Sequence, residues 1–267
     1  MEVYLDNSAT TRPYDEAAQV VYDTMINNYG NPSSLHRMGK RAEDLLTKSR
    51  ETIAGTIFCK PDEVYFTSGG TESDNLAIIG CALANRRRGN KIITQRTEHK
   101  AVTESFDYLE KLGFTVCRLG VDSEGRINLD ELRDELDGDT ILVSIMAVNN
   151  ETGTVMPIDE ISQMIDRAKC ALHVDAVQAY GKMKINAPRL GIDMLTMSAH
   201  KIHGPNGVGA LYIRKGLRVQ PIVMGGQQER TIRSGTENLP GICGFGAACA
   251  AQFPTLTQDI AHMTALR

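Results

Sequence analysis

Short apolar runs alternate with longer amphipathic segments along most of this sequence, and the alternation constrains the fold more than any other feature. Short apolar runs bounded by turn residues predict strands, whereas apolar residues spaced three and four positions apart predict helices. A chain whose strands alternate with helices folds into a mainly parallel sheet with both faces covered. We therefore predict the α/β class, with three layers in the order α/β/α.

Seven strands and five helices follow from this pattern. The predicted strands span 63–67, 91–94, 114–119, 140–148, 171–175, 193–198 and 207–213. The predicted helices span 41–57, 73–87, 102–112, 129–136 and 159–168, with Asn128 or Asp130 available to cap the fourth. The turn "GPNG" joins the last two strands so tightly that they form a hairpin or a short crossover. The sheet is therefore expected to be mixed.

Composition excludes several classes of function. The formal net charge of −4 over 267 residues gives no electrostatic footprint for nucleic acid or for an anionic membrane. The sequence contains no apolar run of membrane-spanning length, and "MEVYLDNSATTRP" does not read as a signal peptide. The six cysteines are scattered without a C-x-x-C pair, which is typical of reduced thiols in a cytosolic enzyme rather than of disulfides or a zinc site.

Polar residues follow five of the predicted strands. Ligands of open α/β sheets bind beyond the carboxyl ends of the strands, so these residues are the first candidates for a site. They are Gly69-Gly70-Thr71, His99, Asn149-Asn150-Glu151, Asp175 with Gln178, and Ser198 with His200 and Lys201.

Each of these groups has an ordinary structural explanation when it is taken alone. Backbone N–H groups at Gly70 and Thr71 suit an anion, but the segment matches no nucleotide fingerprint. By itself it is more typical of a capped turn, with Thr71 or Ser73 as the cap. His99 alone is more typical of a structural residue, and Lys201 alone of a surface lysine before a turn.

Together, the same residues are the parts that a pyridoxal phosphate enzyme needs. Lys201 would bind the aldehyde carbon of the cofactor, and Asp175 would keep the ring nitrogen protonated. A buried carboxylate is costly without such a cation. The turn at Gly70 would hold the phosphate, with Ser198 and His200 as further donors. The combination predicts a site for pyridoxal 5'-phosphate.

Eight motifs in order give a family resemblance. They are "YLDNSATTRP", "NPSSLHRMGKRAE", "FTSGGTESDNLAI", "TEHKAV", "VNNETGTVMPI", "HVDAVQAYGK", "SAHKIHGPNGVGALYI" and "RTIRSGTENLPGICGFGAA", between residue 3 and about residue 248. With them the sequence resembles the cysteine desulfurases of the NifS/IscS type, which are fold-type I pyridoxal phosphate enzymes of the class V aminotransferase family. No single motif is decisive, but their order along nearly the whole chain is specific.

The resemblance implies a role for each matching residue. Lys201 is implied as the Schiff-base lysine and Asp175 as the partner of the pyridinium nitrogen. His99 is implied as the residue that stacks on the ring and helps to move protons, and Gln178 as a donor to the phenolic oxygen. The remaining implied cofactor-binding residues are Gly70, Thr71, Asn150, Ser198, Ala199, His200 and Thr236. Thr236 is implied to reach the phosphate of a neighbouring subunit, so a homodimer is expected, and no metal is implied.

The resemblance also predicts the domain organisation. We expect an N-terminal arm over 1–14, a cofactor-binding large domain over 15–255, and over 256–267 the start of a helix that leads to an absent C-terminal small domain. In this family that small domain carries the nucleophilic cysteine and an arginine for the substrate carboxylate. None of the six cysteines of this sequence matches that nucleophile, so the chain is expected to be inactive in this truncated form.

The implied activity is the conversion of L-cysteine to L-alanine in the cytoplasm, with the sulfur left as an enzyme persulfide. The implied acceptor is a protein of iron–sulfur cluster assembly or of tRNA thiolation, without direct contact to nucleic acid or membrane. Two alternatives remain open. One is another fold-type I enzyme, an aminotransferase or a selenocysteine lyase, and the other is a cofactor-binding fragment without catalytic activity.

Overall fold

The computed structural model describes residues 3–165 and 170–266 of the chain. In this part of the chain, seven strands form one sheet. They are β1 (Val64–Thr67), β2 (Lys91–Gln95), β3 (Thr115–Leu119), β4 (Thr140–Met146), β5 (Ala171–Asp175), β6 (Met194–Ser198) and β7 (Gly209–Ile213). Each predicted strand is confirmed, with ends that move by at most two residues.

The strands lie in the order β1-β7-β6-β5-β4-β2-β3. Strands β2 to β6 pair in parallel, whereas β7 is antiparallel to both of its neighbours, β1 and β6. The sheet is therefore mixed, as the tight turn between the last two strands predicts. Because β1 runs in the same direction as β6, the carboxyl ends of β1, β2, β4, β5 and β6 share one edge.

Eight α-helices are described. They are α1 (Asp15–Asn27), α2 (Arg37–Thr56), α3 (Gly70–Asn85), α4 (Lys100–Lys111), α5 (Leu129–Glu135), α6 (Ile158–Met164), α7 (Leu239–Gln252) and α8 (Leu256–Leu266). The predicted helix 159–168 is described as α6, and its residues 166–168 lie outside the described residues. Asn128 caps α5, since its Oδ1 accepts from the backbone N–H groups of Asp130 and Glu131 at 3.0 and 3.1 Å.

Two apolar cores cover the two faces of the sheet. Along β5, Leu172 and Val174 enter the larger core, and Ala171 enters the smaller one beside α3 and α4. The alternation follows from the two-residue period of a strand, and all five residues of β5 are buried. Helices α1 and α2 both pack on α7, and α3 packs on α4. The three-layer α/β/α prediction is confirmed.

Candidate active site

A cavity of about 540 Å³ opens at the carboxyl edge of the sheet. Its predicted lining residues are Gly70, Thr71, His99, Asn150, Asp175, Gln178, Ser198, His200 and Lys201. Two predicted residues are not part of this wall: Ala199 is fully buried, and Thr236 is exposed. The residues that follow β1, β2, β4, β5 and β6 thus converge on one cavity.

Lys201 ends a short 3₁₀ turn, Ala199–Lys201, that directly follows β6. Its ammonium donates to the backbone carbonyls of Ser8 and Ala9, the latter at 2.8 Å. Partial burial lowers the pKa of Lys201, while the carboxylates of Asp175 and Asp6 act in the opposite direction. A lowered pKa increases the fraction of neutral amine, which is the nucleophilic form.

Asp175 is the last residue of β5 and is 6% exposed. Its Oδ1 accepts from the backbone N–H of Val177 at 2.8 Å. Burial raises the pKa of Asp175, against the effect of that N–H and of the nearby His99 and Lys201. A cationic ring nitrogen in the cavity would favour the ionised carboxylate in the same way.

The amino end of α3 forms a cradle for an anion. Gly69 has a φ of +153°, and a Cβ atom on Gly70 would lie 2.8 Å from Cγ2 of Val177. The backbone therefore approaches the cavity more closely than a larger residue would allow, with the positive end of the helix dipole behind it. Neither Thr71 nor Ser73 caps α3, because the N-cap is Gly69.

Ser198 gives independent support for an anion here. Its Oγ is buried and has no hydrogen-bond partner among the described residues. Buried hydroxyls are normally paired, so an unpaired one beside a helix N-terminus suits a phosphate oxygen. An adjoining cavity of about 430 Å³ shares Gly70, Thr71, Ser198 and His200 with the first one.

Two histidines of the cavity have one ring nitrogen occupied. Nδ1 of His99 accepts from the backbone N–H of Ala101 at 3.1 Å and caps α4. The proton of neutral His99 is therefore on Nε2. Nδ1 of His200 lies 3.1 Å from Oγ1 of Thr10. Burial and the charges of Lys201 and Lys182 lower the pKa of His200, which favours its neutral form.

The N-terminal arm is part of the cavity, which the strand pattern alone does not reveal. Asp6, Ser8 and Ala9 line it, and Nε2 of Gln178 donates to the carbonyl of Ser8 at 2.8 Å. The arm carries no helix or strand among the described residues, so periodicity gives no signal for it. The available signal was composition: "DNSATT" is a polar segment that precedes the first helix.

A buried pair of acids lies beside Asp175. Asp74 lies on α3 and is 1% exposed. Glu98 lies after β2 and is 9% exposed. Oδ1 of Asp74 and Oε2 of Glu98 have no hydrogen-bond partner among the described residues. Burial, together with the charge of Asp175, raises the pKa of both, that of Glu98 to about 8. The raised pKa values favour the protonated form of both acids, whereas Lys201 and His99 favour the ionised form of Asp175.

The six cysteines, all within the described part of the chain, lie outside the cavity. Burial raises the pKa of each thiol, to about 12 for Cys59, Cys81 and Cys249 and to about 11 for Cys117. A protonated thiol is a weak nucleophile. The cysteines therefore serve as core residues here and not as reactive groups of this site.

Comparison with known proteins agrees with this geometry. The profile of the family "Aminotransferase class-V" matches residues 3–263. The cysteine desulfurase IscS of Dictyoglomus turgidum is 46% identical over 266 residues, which are 100% of this chain and 68% of that protein. The cysteine desulfurase IscS of Methanosarcina thermophila is 48% identical over 92% of this chain and 61% of its own length.

Solved structures give the same result. A NifS-like protein superimposes with a TM-score of 0.97 at 43% identity, over 100% of this chain and 74% of that one. A structure of SspA in complex with cysteine superimposes with a TM-score of 0.89 at 34% identity, over 98% of this chain and 78% of the other.

The fold is that of a pyridoxal phosphate enzyme, and the chain belongs to the class V aminotransferase family. Within that family it groups with the cysteine desulfurases of the NifS/IscS type. The chain spans 61% to 68% of the length of the two IscS relatives. None of the helices in the described ranges combines the length and apolarity that a bilayer crossing requires.

Proposed function

We propose that this protein is a pyridoxal phosphate-dependent cysteine desulfurase, which converts L-cysteine to L-alanine and passes the sulfur to an enzyme cysteine. The proposal rests above all on one observation, the convergence of Lys201, Asp175 and the Gly70 cradle on a single cavity. The proposed acceptor of the sulfur is a protein of iron–sulfur cluster assembly or of tRNA thiolation. We place the protein in the cytoplasm as a homodimer.

The residues of the cavity fit the cofactor in charge and in hydrogen-bonding capacity. Gly70, Thr71, Ser198 and His200 would hold the phosphate, for which the unpaired Ser198 hydroxyl is the best support. Asp175 would pair with the ring nitrogen, and Lys201 would hold the aldehyde carbon. Residues 15–255 would form the cofactor-binding domain, with 1–14 as an arm over its site.

The bound cofactor supplies an electron sink that stabilises negative charge on the substrate carbon. The protein contributes orientation and proton handling. Asp175, whose ionised form Lys201 and His99 favour, would hold the ring nitrogen protonated. His99 would stack against the ring with its Nε2 proton free, because Nδ1 is occupied by Ala101. Lys201, with its lowered pKa, would accept and return a proton.

The first test concerns Lys201. The protein is loaded with pyridoxal phosphate, reduced with borohydride and digested, and the pyridoxyl group is located by mass spectrometry. We expect it on Lys201, and Lys201→Ala should leave no covalent label. Lys215→Ala is the control, because Lys215 is exposed and outside the cavity. A label on Lys182 or Lys215 in the unmodified protein would overturn the assignment.

The second test concerns sulfur transfer by residues 1–267. Nucleophilic attack needs the reacting atoms about 3–3.5 Å apart, and no cysteine lies at the cavity in the part of the chain that is described. We expect added cysteine to perturb the cofactor absorbance without stoichiometric persulfide on the protein. Alkylation with mass spectrometry and an alanine assay measure both products. Sustained alanine production would contradict the expectation, and Cys59, Cys117 and Cys170 would then be substituted singly.

A further inference from the structure

Lys182 lies at the rim of the site and contacts one of its residues. It follows the turn after β5, and its Nζ donates to Oε1 of Gln178 at 3.0 Å. The side chain is partly buried, and no carboxylate within the described ranges forms an ion pair with it. Partial burial of an ammonium without a counterion costs free energy. A partly buried Lys182 therefore suggests that the ammonium group has a function at this position.

The contact decides which way the Gln178 amide points. An ammonium group only donates hydrogen bonds, so the amide oxygen must face Lys182 and the NH₂ must face the other way. On that side Nε2 donates to the carbonyl of Ser8 at 2.8 Å, and Lys201 donates to the same carbonyl. The contact with Lys182 therefore makes Gln178 present its NH₂ donor, rather than its oxygen acceptor, to the cavity wall.

The backbone fixes this arrangement relative to Lys201. Gly181 has a φ of +72°, and a Cβ atom there would lie 2.5 Å from Cγ2 of Ile202. The turn that carries Lys182 therefore packs directly against the residue after Lys201. Tyr180, 1% exposed, anchors the same turn in the core.

Lys182 also places a second positive charge near that of Lys201. Burial and the Lys201 ammonium lower the pKa of Lys182 to about 8. Both lysines line a cavity of about 360 Å³ between the arm and α8, in which the titratable groups are Tyr14, Lys182, Lys201, His203, Asp259 and His262. Burial and the charges of both lysines lower the pKa of His200, whereas Asp175 and Asp6 of the arm act against the burial that lowers the pKa of Lys201.

We propose that Lys182 is a positioning residue of the cofactor site: it orients the Gln178 amide as a donor to the cavity and keeps a positive charge next to Lys201. The inference rests on the proposed function, because both residues act on the cofactor only if it binds at Lys201. Loss of Lys182 should raise the proton affinity of the nitrogen of Lys201, since a neighbouring positive charge disfavours protonation.

The test is the pH dependence of the cofactor absorbance in the loaded protein. Lys182→Met should move the midpoint upward by about one pH unit, the size expected for a nearby unit charge. Lys182→Arg keeps the charge and the donor and should restore the wild-type midpoint. Lys184→Met is the matched control, because Lys184 is exposed on the same segment and outside both cavities.

Cofactor uptake and thermal unfolding are followed in parallel. Should Lys182→Met fail to fold, Lys182→Gln removes the charge but keeps a polar side chain, and it should show the same upward shift. A midpoint unchanged in the folded Met or Gln variant, with the wild type fully loaded, would overturn the inference alone. A wild-type protein that takes up no cofactor would overturn the proposed function and the inference with it.

Discussion

At the scale of single residues, the site depends on polar groups that are buried without full compensation. Asp74, Glu98 and Asp175 come from three different segments of the chain and lie close enough to influence one another. Three carboxylates cannot all be ionised in such a place, because each charge disfavours the next. Only Asp175 has cations nearby, and it is the one that faces the proposed ring nitrogen.

Asp175→Asn removes this charge with almost no change in shape. We expect cofactor affinity to fall by roughly 1.5–3 kcal/mol, the value of a hydrogen bond to a charged group. Absorbance titration with pyridoxal phosphate measures the effect. Asp134→Asn, at an exposed position of α5, serves as the control and should bind like the wild type. Equal affinity of the Asp175 variant would assign its carboxylate to another duty.

Glu98 should give the protein a measurable pH dependence of stability. Its pKa is raised from 4.5 to about 8 in the folded state. Between these two pKa values Glu98 is ionised in the unfolded protein and protonated in the folded protein. Glu98 therefore makes the free energy of unfolding fall as pH rises. The slope approaches about 1.4 kcal/mol per pH unit and vanishes above pH 8.

Glu98→Gln should remove this contribution while it keeps the side-chain shape. Denaturant unfolding of both proteins between pH 5 and 9 provides the comparison. The stability of the wild type relative to the variant is expected to fall up to about pH 8 and then to level off. A constant difference across this range would show that Glu98 is already ionised in the folded protein.

At the scale of elements, a strained turn is tied to the sheet by a buried ion pair. Glu229, Arg230 and Thr231 have φ values of 43°, 53° and 71°, and each such non-glycine residue costs on the order of 1–3 kcal/mol. The two terminal guanidinium nitrogens of Arg50 donate to Glu229 at 2.7 Å, and Phe66 of β1 donates its N–H to the same carboxylate at 2.9 Å. The pair therefore holds together α2, β1 and the turn that leads to Thr236.

Glu229→Gln should destabilise the protein by about 3–5 kcal/mol, because it leaves the Arg50 charge buried without its partner. Chemical denaturation measures the loss. Glu43→Gln is the matched control, since Glu43 forms a surface pair with Lys40 at 3.0 Å and such pairs contribute about 0–1 kcal/mol. Similar effects of the two substitutions would mean that the buried pair does not anchor the turn.

At the scale of the whole molecule, one of the predicted phosphate-binding residues lies outside the cavity. Thr236 is exposed and does not line the cavity of its own subunit. This position is compatible with the predicted contact to a phosphate in a second subunit. Two-fold dimers are the commonest symmetric assembly of soluble proteins.

We therefore expect the loaded protein to be a dimer in light scattering, and Thr236→Ala to weaken cofactor binding. Thr264→Ala, at an exposed position of α8, is the control and should have no effect. Dilution below the dimer dissociation constant should release cofactor, because the phosphate loses a donor. A stable monomer with full cofactor content would rule out the proposed arrangement.

The sequence by itself determined the elements and the strand-end residues. The sequence pattern predicts the strand 171–175 with its observed ends, because an apolar run between turn residues is a local signal. The position of Asp175 and Lys201 at the same edge followed from the direction of parallel strands. The same pattern does not predict helix α1, because the exposed apolar residues Tyr22, Met25 and Ile26 weaken its amphipathic periodicity.

Only the tertiary structure decided which distant residues complete the site. Lys201 contacts Ser8 across 193 positions, and Gln178 contacts the same residue across 170 positions. In the sequence, Asp74 is one polar residue of a predicted helix. Its burial beside Asp175 depends on how α3 lies on the sheet. Periodicity reports the environment of a residue along its own element, whereas these contacts depend on packing between elements, which local patterns do not encode.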